Sequence, residues 1–265
     1  MKYISSVLLT VICFSLQAQD EFLKQLEASP RHQEWVEIAM LNGRKLKCFV
    51  VYPEVSAKAT SVIVIHENMG LNNWARSMAD QIAGAGFIAI APDLLSGMAP
   101  NGGGTADFPN GDSARSAIYK LDSSQIRKDL DAVAAYVTKL PASNGRVAAA
   151  GYCWGGSQCF KMATTNPMIT AAFVFYGTGP EDPSAIRNIK VPVYGFYGGN
   201  DARVNATIPK SDSLMKAEKK KYDPLVYEGA GHGFMRSGQQ ANASAENAKA
   251  RNEAFERLVA KLKQL

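Results

Sequence analysis

Chemistry is concentrated first in the hexapeptide Gly151-Tyr152-Cys153-Trp154-Gly155-Gly156. It follows the apolar run Arg146–Gly151 and opens a stretch, Cys153–Thr165, with helical patterning. A nucleophile at a glycine-flanked strand-to-helix turn is the arrangement of a nucleophile elbow, here with cysteine in the serine place. The turn is so tight that side chains at positions 151 and 155 would meet neighbouring backbone. The thiol then sits at a helix N-terminus, where free N–H groups and the helix dipole favour a thiolate and lower its pKa. The backbone N–H of Trp154 faces the place where an oxyanion would form. Further along, Gly198-Gly199-Asn200-Asp201 and Gly229-Ala230-Gly231-His232-Gly233-Phe234 each follow an apolar run. Cys153, Asp201 and His232 therefore come in the chain order nucleophile, acid, base. His232 would take the thiol proton and later deliver one, while Asp201 orients the ring and stabilises imidazolium. Two other histidines are present: His32 in a polar stretch reads as solvated, and His66 beside Glu67 as a core or supporting residue.

Elements must place these residues together. Trp35–Leu41 and Lys45–Tyr52 flank Asn42-Gly43, which predicts a two-residue hairpin. Ser61–His66, Phe87–Ala91, Arg146–Gly151, Ala171–Tyr176, Val191–Tyr197 and Pro224–Tyr227 read as strands, most of them continuously apolar as buried parallel strands are. Asn73–Gly84, Ser123–Leu140, Cys153–Thr165, Val204–Lys221 and Asn242–Leu265 read as helices. The alternation predicts one α/β domain with a mostly parallel central sheet flanked by helices and an antiparallel N-terminal hairpin. Each candidate residue falls just past a strand end, where open α/β sheets hold ligands. Ser96–Ser113, with Asn101-Gly102-Gly103-Gly104, reads as a long flexible rim over a pocket.

Four stretches carry a resemblance: His66-Glu67-Asn68-Met69-Gly70, Ala91-Pro92-Asp93-Leu94, Gly151–Gly156, and Asp201 with Ala230–Phe234. From about Trp35 onward the chain resembles the dienelactone hydrolase family, α/β-hydrolases with a Cys-Asp-His triad. The resemblance implies the α/β-hydrolase fold and cleavage of a small ester or lactone through a cysteine thioester, with no cofactor. It makes Glu67 the carboxylate that enters the site and controls the thiol, and the backbone N–H of Asn68 the second oxyanion donor. It matches Arg236 to one of two arginines that hold an anionic substrate. At the other arginine's place this chain has Gly97, so half of that clamp is missing, and Arg76 and Arg115 are candidates to replace it.

Length and composition agree with an enzyme domain. The 265 residues are 46% hydrophobic and 20% charged, enough for a core that needs no disulfides or metal. Four cysteines are too sparse for a disulfide scaffold, and Cys153 and Cys159 lie on different faces of one helix. The net charge of +5 is spread along the chain, so no nucleic-acid partner is expected. No HExxH or zinc-spaced cluster occurs, so no metal is expected. Lys2, the apolar run 7–16 and Leu16-Gln17-Ala18 read as a signal peptide, residues 1–18, followed by a single domain over 19–265. The expectation is an exported, periplasmic or secreted protein with no stable membrane span after cleavage. Two other classes stay open: a catalytically silent binding protein on a hydrolase scaffold, and a thiol-dependent redox or acyl-transfer enzyme.

Overall fold

The computed structural model describes residues 21–180 and 182–265; the signal-peptide reading lies outside them. One eight-stranded sheet organises these residues, in the order β1-β2-β4-β3-β5-β6-β7-β8. The strands are β1 (Gln33–Ala39), β2 (Lys45–Val51), β3 (Ala59–Ile65), β4 (Ile88–Pro92), β5 (Ser143–Tyr152), β6 (Ile169–Phe175), β7 (Val193–Gly198) and β8 (Tyr222–Tyr227). β2 runs antiparallel to both β1 and β4, and every other pairing is parallel. That is the expected mostly parallel sheet with an antiparallel N-terminal hairpin.

Period-two alternation feeds two cores. Val62 and Val64 of β3 face the helices Asn73–Gly84 and Ala245–Leu262. Ile63 and Ile65 face the helices Ser123–Val137 and Trp154–Thr165 on the opposite side. All seven residues of β3 are buried, which is why its sequence shows no polar alternation. Helix starts follow side-chain caps: Asn72, Asp122 and Ser244 accept from the N–H of Ala75, Gln125 and Asn247. Among the described residues no helix is long and apolar enough to cross a membrane.

Several expected elements differ. The hairpin joins Met40 to Arg44 through a three-residue loop, not two: Gly43 donates to the carbonyl of Met40, and Gly43 itself has φ +79°. This is a type I turn closed by a left-handed residue. The stretch 204–221 is two helices, Ala202–Asn205 and Ile208–Ala217, because Pro209 opens a new helix and cannot continue one. Pro224 lies inside β8, an edge strand whose outer side needs no N–H.

The rim after β4 is tied down, contrary to the flexible loop expected. Thr105 donates from both N (2.7 Å) and Oγ1 (2.6 Å) to Asp93, and Leu71 N donates to Thr105 Oγ1 at 2.9 Å. A short 3-10 turn, Thr105–Asp107, and a helix, Gly111–Ile118, give the segment its own structure.

Candidate active site

Five strand ends converge on one spot. Glu67 follows β3, Cys153 follows β5, Tyr176 follows β6, Asp201 follows β7 and His232 follows β8. Cys153 sits at φ +55°, ψ −116°, a strained conformation for a residue with a side chain. Such backbone costs on the order of 1–3 kcal/mol, so the surroundings must impose it. They do: Cys153 N donates to the carbonyl of Phe175, and the next residues enter the helix directly. A Cβ at Gly151 would strike the carbonyl of Gly155, and one at Gly155 would strike the carbonyls of Ile65 and His66. The glycines let the helix close onto β3 and β5 while the thiol is turned outward.

His232 Nε2 lies 3.1 Å from Cys153 Sγ, and Nδ1 lies 2.5 Å from Asp201 Oδ2. Asp201 is buried, whereas the imidazole remains open to solvent. Its second oxygen accepts from Val204 N at 3.3 Å, capping a short helix and fixing the carboxylate. The acid and base loops are joined as well, since Asn200 donates from N to Ala230 O and from Nδ2 to Gly229 O. Gly231 N is held by Asn247 Oδ1 at 2.8 Å, which anchors the histidine loop on the last helix.

Glu67 is buried and has three neighbours of consequence. Arg236 Nε donates to Oε2 at 2.9 Å, and Tyr176 OH donates to Oε1 at 3.3 Å. The third is the thiol. Burial and the Glu67 carboxylate push Cys153 up to about 11, although the Trp154 and Asn68 amides and Arg203 pull it down. This overturns the expectation of a lowered thiol pKa: the helix-end amides act in the stated direction, but desolvation and a like charge outweigh them. The backbone amides of both oxyanion candidates, Asn68 and Trp154, thus act on the sulfur in the direction that favours a negative charge there.

Arg236 is brought to the site, but with its Nε committed to Glu67 rather than standing free for a ligand. Gly97 has φ +78° and packs against Arg44, whose guanidinium is bonded to Ser96 O and Asp129. Of the two candidate replacements, Arg115 pairs with Asp112, and Arg76 reaches another cavity described below. His66 is a buried supporting residue: Nδ1 donates to the carbonyl of Glu67 at 2.7 Å, Nε2 accepts from Leu94 N, and Trp154 stacks on the ring. His32 is exposed. Cys48 and Cys159 are buried free thiols.

Tyr176 was not read from the sequence as a site residue. Its φ is +39°, its hydroxyl holds Glu67, and its ring meets His232 edge-on at 5.0 Å between centroids. The available signal was its position at the end of a parallel strand beside Gly177, the same rule that marks the other four. Among the described residues no group of three or more His, Cys, Asp or Glu could hold a metal ion.

A mostly parallel sheet with a glycine-flanked elbow after β5, an acid after β7 and a histidine after β8 defines the α/β-hydrolase class. The family model for the dienelactone hydrolase family matches residues 46–265, and the chain belongs to that family. It is 31% identical to the carboxymethylenebutenolidase of Pseudomonas putida over 224 residues, covering 80% of this chain and 91% of that one. The fold resembles a Klebsiella pneumoniae protein described as a dienelactone hydrolase, with TM-score 0.77, 23% identity, and coverage of 89% of this chain and 99% of the other. A dienelactone hydrolase-like promiscuous phosphotriesterase from metagenomic libraries gives TM-score 0.75 at 24% identity, covering 89% and 98%. Family membership makes this chain a hydrolase acting on ester or lactone bonds.

Proposed function

We propose that the protein hydrolyses a small ester or lactone through a thioester on Cys153. The observation that carries this reading is the continuous line Asp201–His232–Cys153, at 2.5 and 3.1 Å. His232 Nε2 accepts the thiol proton as Sγ attacks the carbonyl carbon. The oxyanion that forms is met by the N–H groups of Trp154 and Asn68. Collapse breaks the C–O bond, and imidazolium protonates the departing alkoxide. With a lactone, that new hydroxyl stays on the acyl group. Water, deprotonated by His232, then cleaves the thioester and restores the thiol.

A thiol with a pKa of about 11 is neutral at rest. The resting nucleophile is thereby kept from forming a standing thiolate, and ionises as His232 takes its proton. Arg236 sets the size of this restraint, because it neutralises part of the Glu67 charge that repels the thiolate. An anionic substrate drawn to Arg236 would compete with Glu67 for the guanidinium. We also propose export, from the reading of residues 1–18.

The test compares wild type with Cys153→Ala on p-nitrophenyl acetate and a panel of lactones, with intact mass recorded during turnover. Cysteine-dependent hydrolysis and a transient acyl adduct are expected. Equal rates in the two proteins would sink the proposal.

A further inference from the structure

A second concavity of about 570 Å³ opens beside the catalytic site, between β1, the start of the helix Asn73–Gly84 and the tied-down rim. Neither Cys153 nor His232 lines it, but Met69 does, one residue beyond the oxyanion candidate Asn68. Its volume is in the range of small-molecule sites.

Two cations and an exposed indole face each other there. Lys47 Nζ lies 4.8 Å from the Trp35 ring centroid, and the Arg76 guanidinium carbon lies 5.7 Å from Trp35 and 5.6 Å from Phe49. Trp35 is 43% exposed although it is the largest side chain type available for burial. Arg76 is the unusual member. Burial lowers its pKa, Asn73 Oδ1 accepts from it, and among the described residues no carboxylate pairs with it. A half-buried guanidinium without an acidic partner is costly unless something else supplies the counter-charge.

Two carboxylates also line the cavity, and both are occupied by the rim. Asp93 accepts from Thr105 N, Thr105 Oγ1 and Leu95 N. Asp107 accepts from Gly104 N at 2.8 Å. Asn72 Nδ2, in the same wall, is a buried donor with no acceptor among the described residues. Met69, Leu71 and Phe108 supply apolar surface. Donors in excess, an open aromatic face and apolar sides suit a flat apolar body that ends in an anion.

We propose that this cavity is a binding site for a flat apolar carboxylate, anchored by Arg76 and stacked on Trp35. The proposal goes beyond the hydrolytic reading and needs no turnover to be tested. The probe is 1-naphthoate, with naphthalene-1-carboxamide as its neutral counterpart. Calorimetric titration at low ionic strength uses Cys153→Ala protein, so chemistry at the thiol does not contribute. Naphthoate is expected to bind more tightly than the carboxamide. Arg76→Gln should weaken naphthoate about tenfold or more while leaving the carboxamide unchanged. Trp35→Ala, on an exposed strand position, should weaken both, and Arg76→Lys should restore part of the loss.

Equal binding of the two probes, no saturable binding, or a loss produced by Arg236→Gln but not by Arg76→Gln would overturn the proposal. Turnover of p-nitrophenyl acetate by wild type then tells the sources apart. Competitive inhibition by naphthoate marks the site as the far end of the substrate cleft. A change in kcat without competition marks it as the seat of a separate effector. Either result upholds the site.

Discussion

Two arginine–carboxylate pairs lie near the rim of this sheet, and they do opposite things. Asp129 is buried against Arg44, and Gln125 Nε2 donates to the same carboxylate at 2.6 Å. The hydrogen-bond partners of Asp129 are all donors, and the thiol its charge disfavours, Cys48, is sealed in the core. Glu67 is similarly buried against Arg236, but its charge also acts on the Cys153 thiol. The first pair joins the hairpin to the helix Ser123–Val137 and is finished once made. The second leaves its carboxylate with an unfavourable neighbour, which raises Cys153. Both carboxylates disfavour a nearby thiolate, but the Cys48 thiol is fully buried whereas the Cys153 thiol lies at the strand-end site beside His232.

The contrast is open to experiment. His232→Gln should lower kcat/KM by about 10³-fold or more, since among the described residues His232 is the base hydrogen-bonded to Sγ, with little change in thermal stability. Steady-state kinetics and a melting curve together check this. Asp129→Ala should do the reverse. It leaves Arg44 largely buried and unpaired, a loss on the order of 3 kcal/mol in denaturant unfolding, with kcat/KM retained. If Asp129→Ala instead lowers turnover without unfolding the protein, the distinction between the pairs fails.

Glu67→Gln is next in size and is read on the thiol itself. Removing the negative charge lowers the Cys153 pKa, so alkylation by iodoacetamide near pH 8 should quicken about three- to tenfold. In wild type the rate should climb with pH toward about 11, rather than levelling near 9. The linkage has a definite sign. The unfolded chain ionises this thiol first, so the stability gained from its neutral form is complete below about 9 and is lost as pH rises through about 11. Arg236→Gln should have the smallest effect, a few-fold slower alkylation, because the uncompensated Glu67 charge raises the thiol further. Faster alkylation in that variant would contradict the arrangement described.

Much of the fold was legible because its central strands are buried on both faces and read as continuous apolar runs. The site was legible for a related reason: a tight elbow demands glycines, and glycines at strand ends stand out. What escaped was set by tertiary contact. Tyr176 looks like the last residue of an apolar strand, and only its position over His232 and Glu67 gives it a role. The thiol pKa was misread because the elbow alone predicts the amide contribution, while the opposing carboxylate comes from a segment 86 positions earlier in the chain. The split at Pro209 was visible in the sequence, yet apolar periodicity continues across it and masked the break.

The hydroxyl of Thr105 joins two segments that have no covalent reason to move together. It gives its proton to Asp93 after β4 and receives the N–H of Leu71 after β3. The amides of Leu71 and Thr105 should consequently exchange with deuterium as one cooperative unit, and a valine at position 105 should speed both. The two segments that flank the cavity are thus braced against each other, and the binding rate of a ligand there should follow diffusion rather than the opening of a flap.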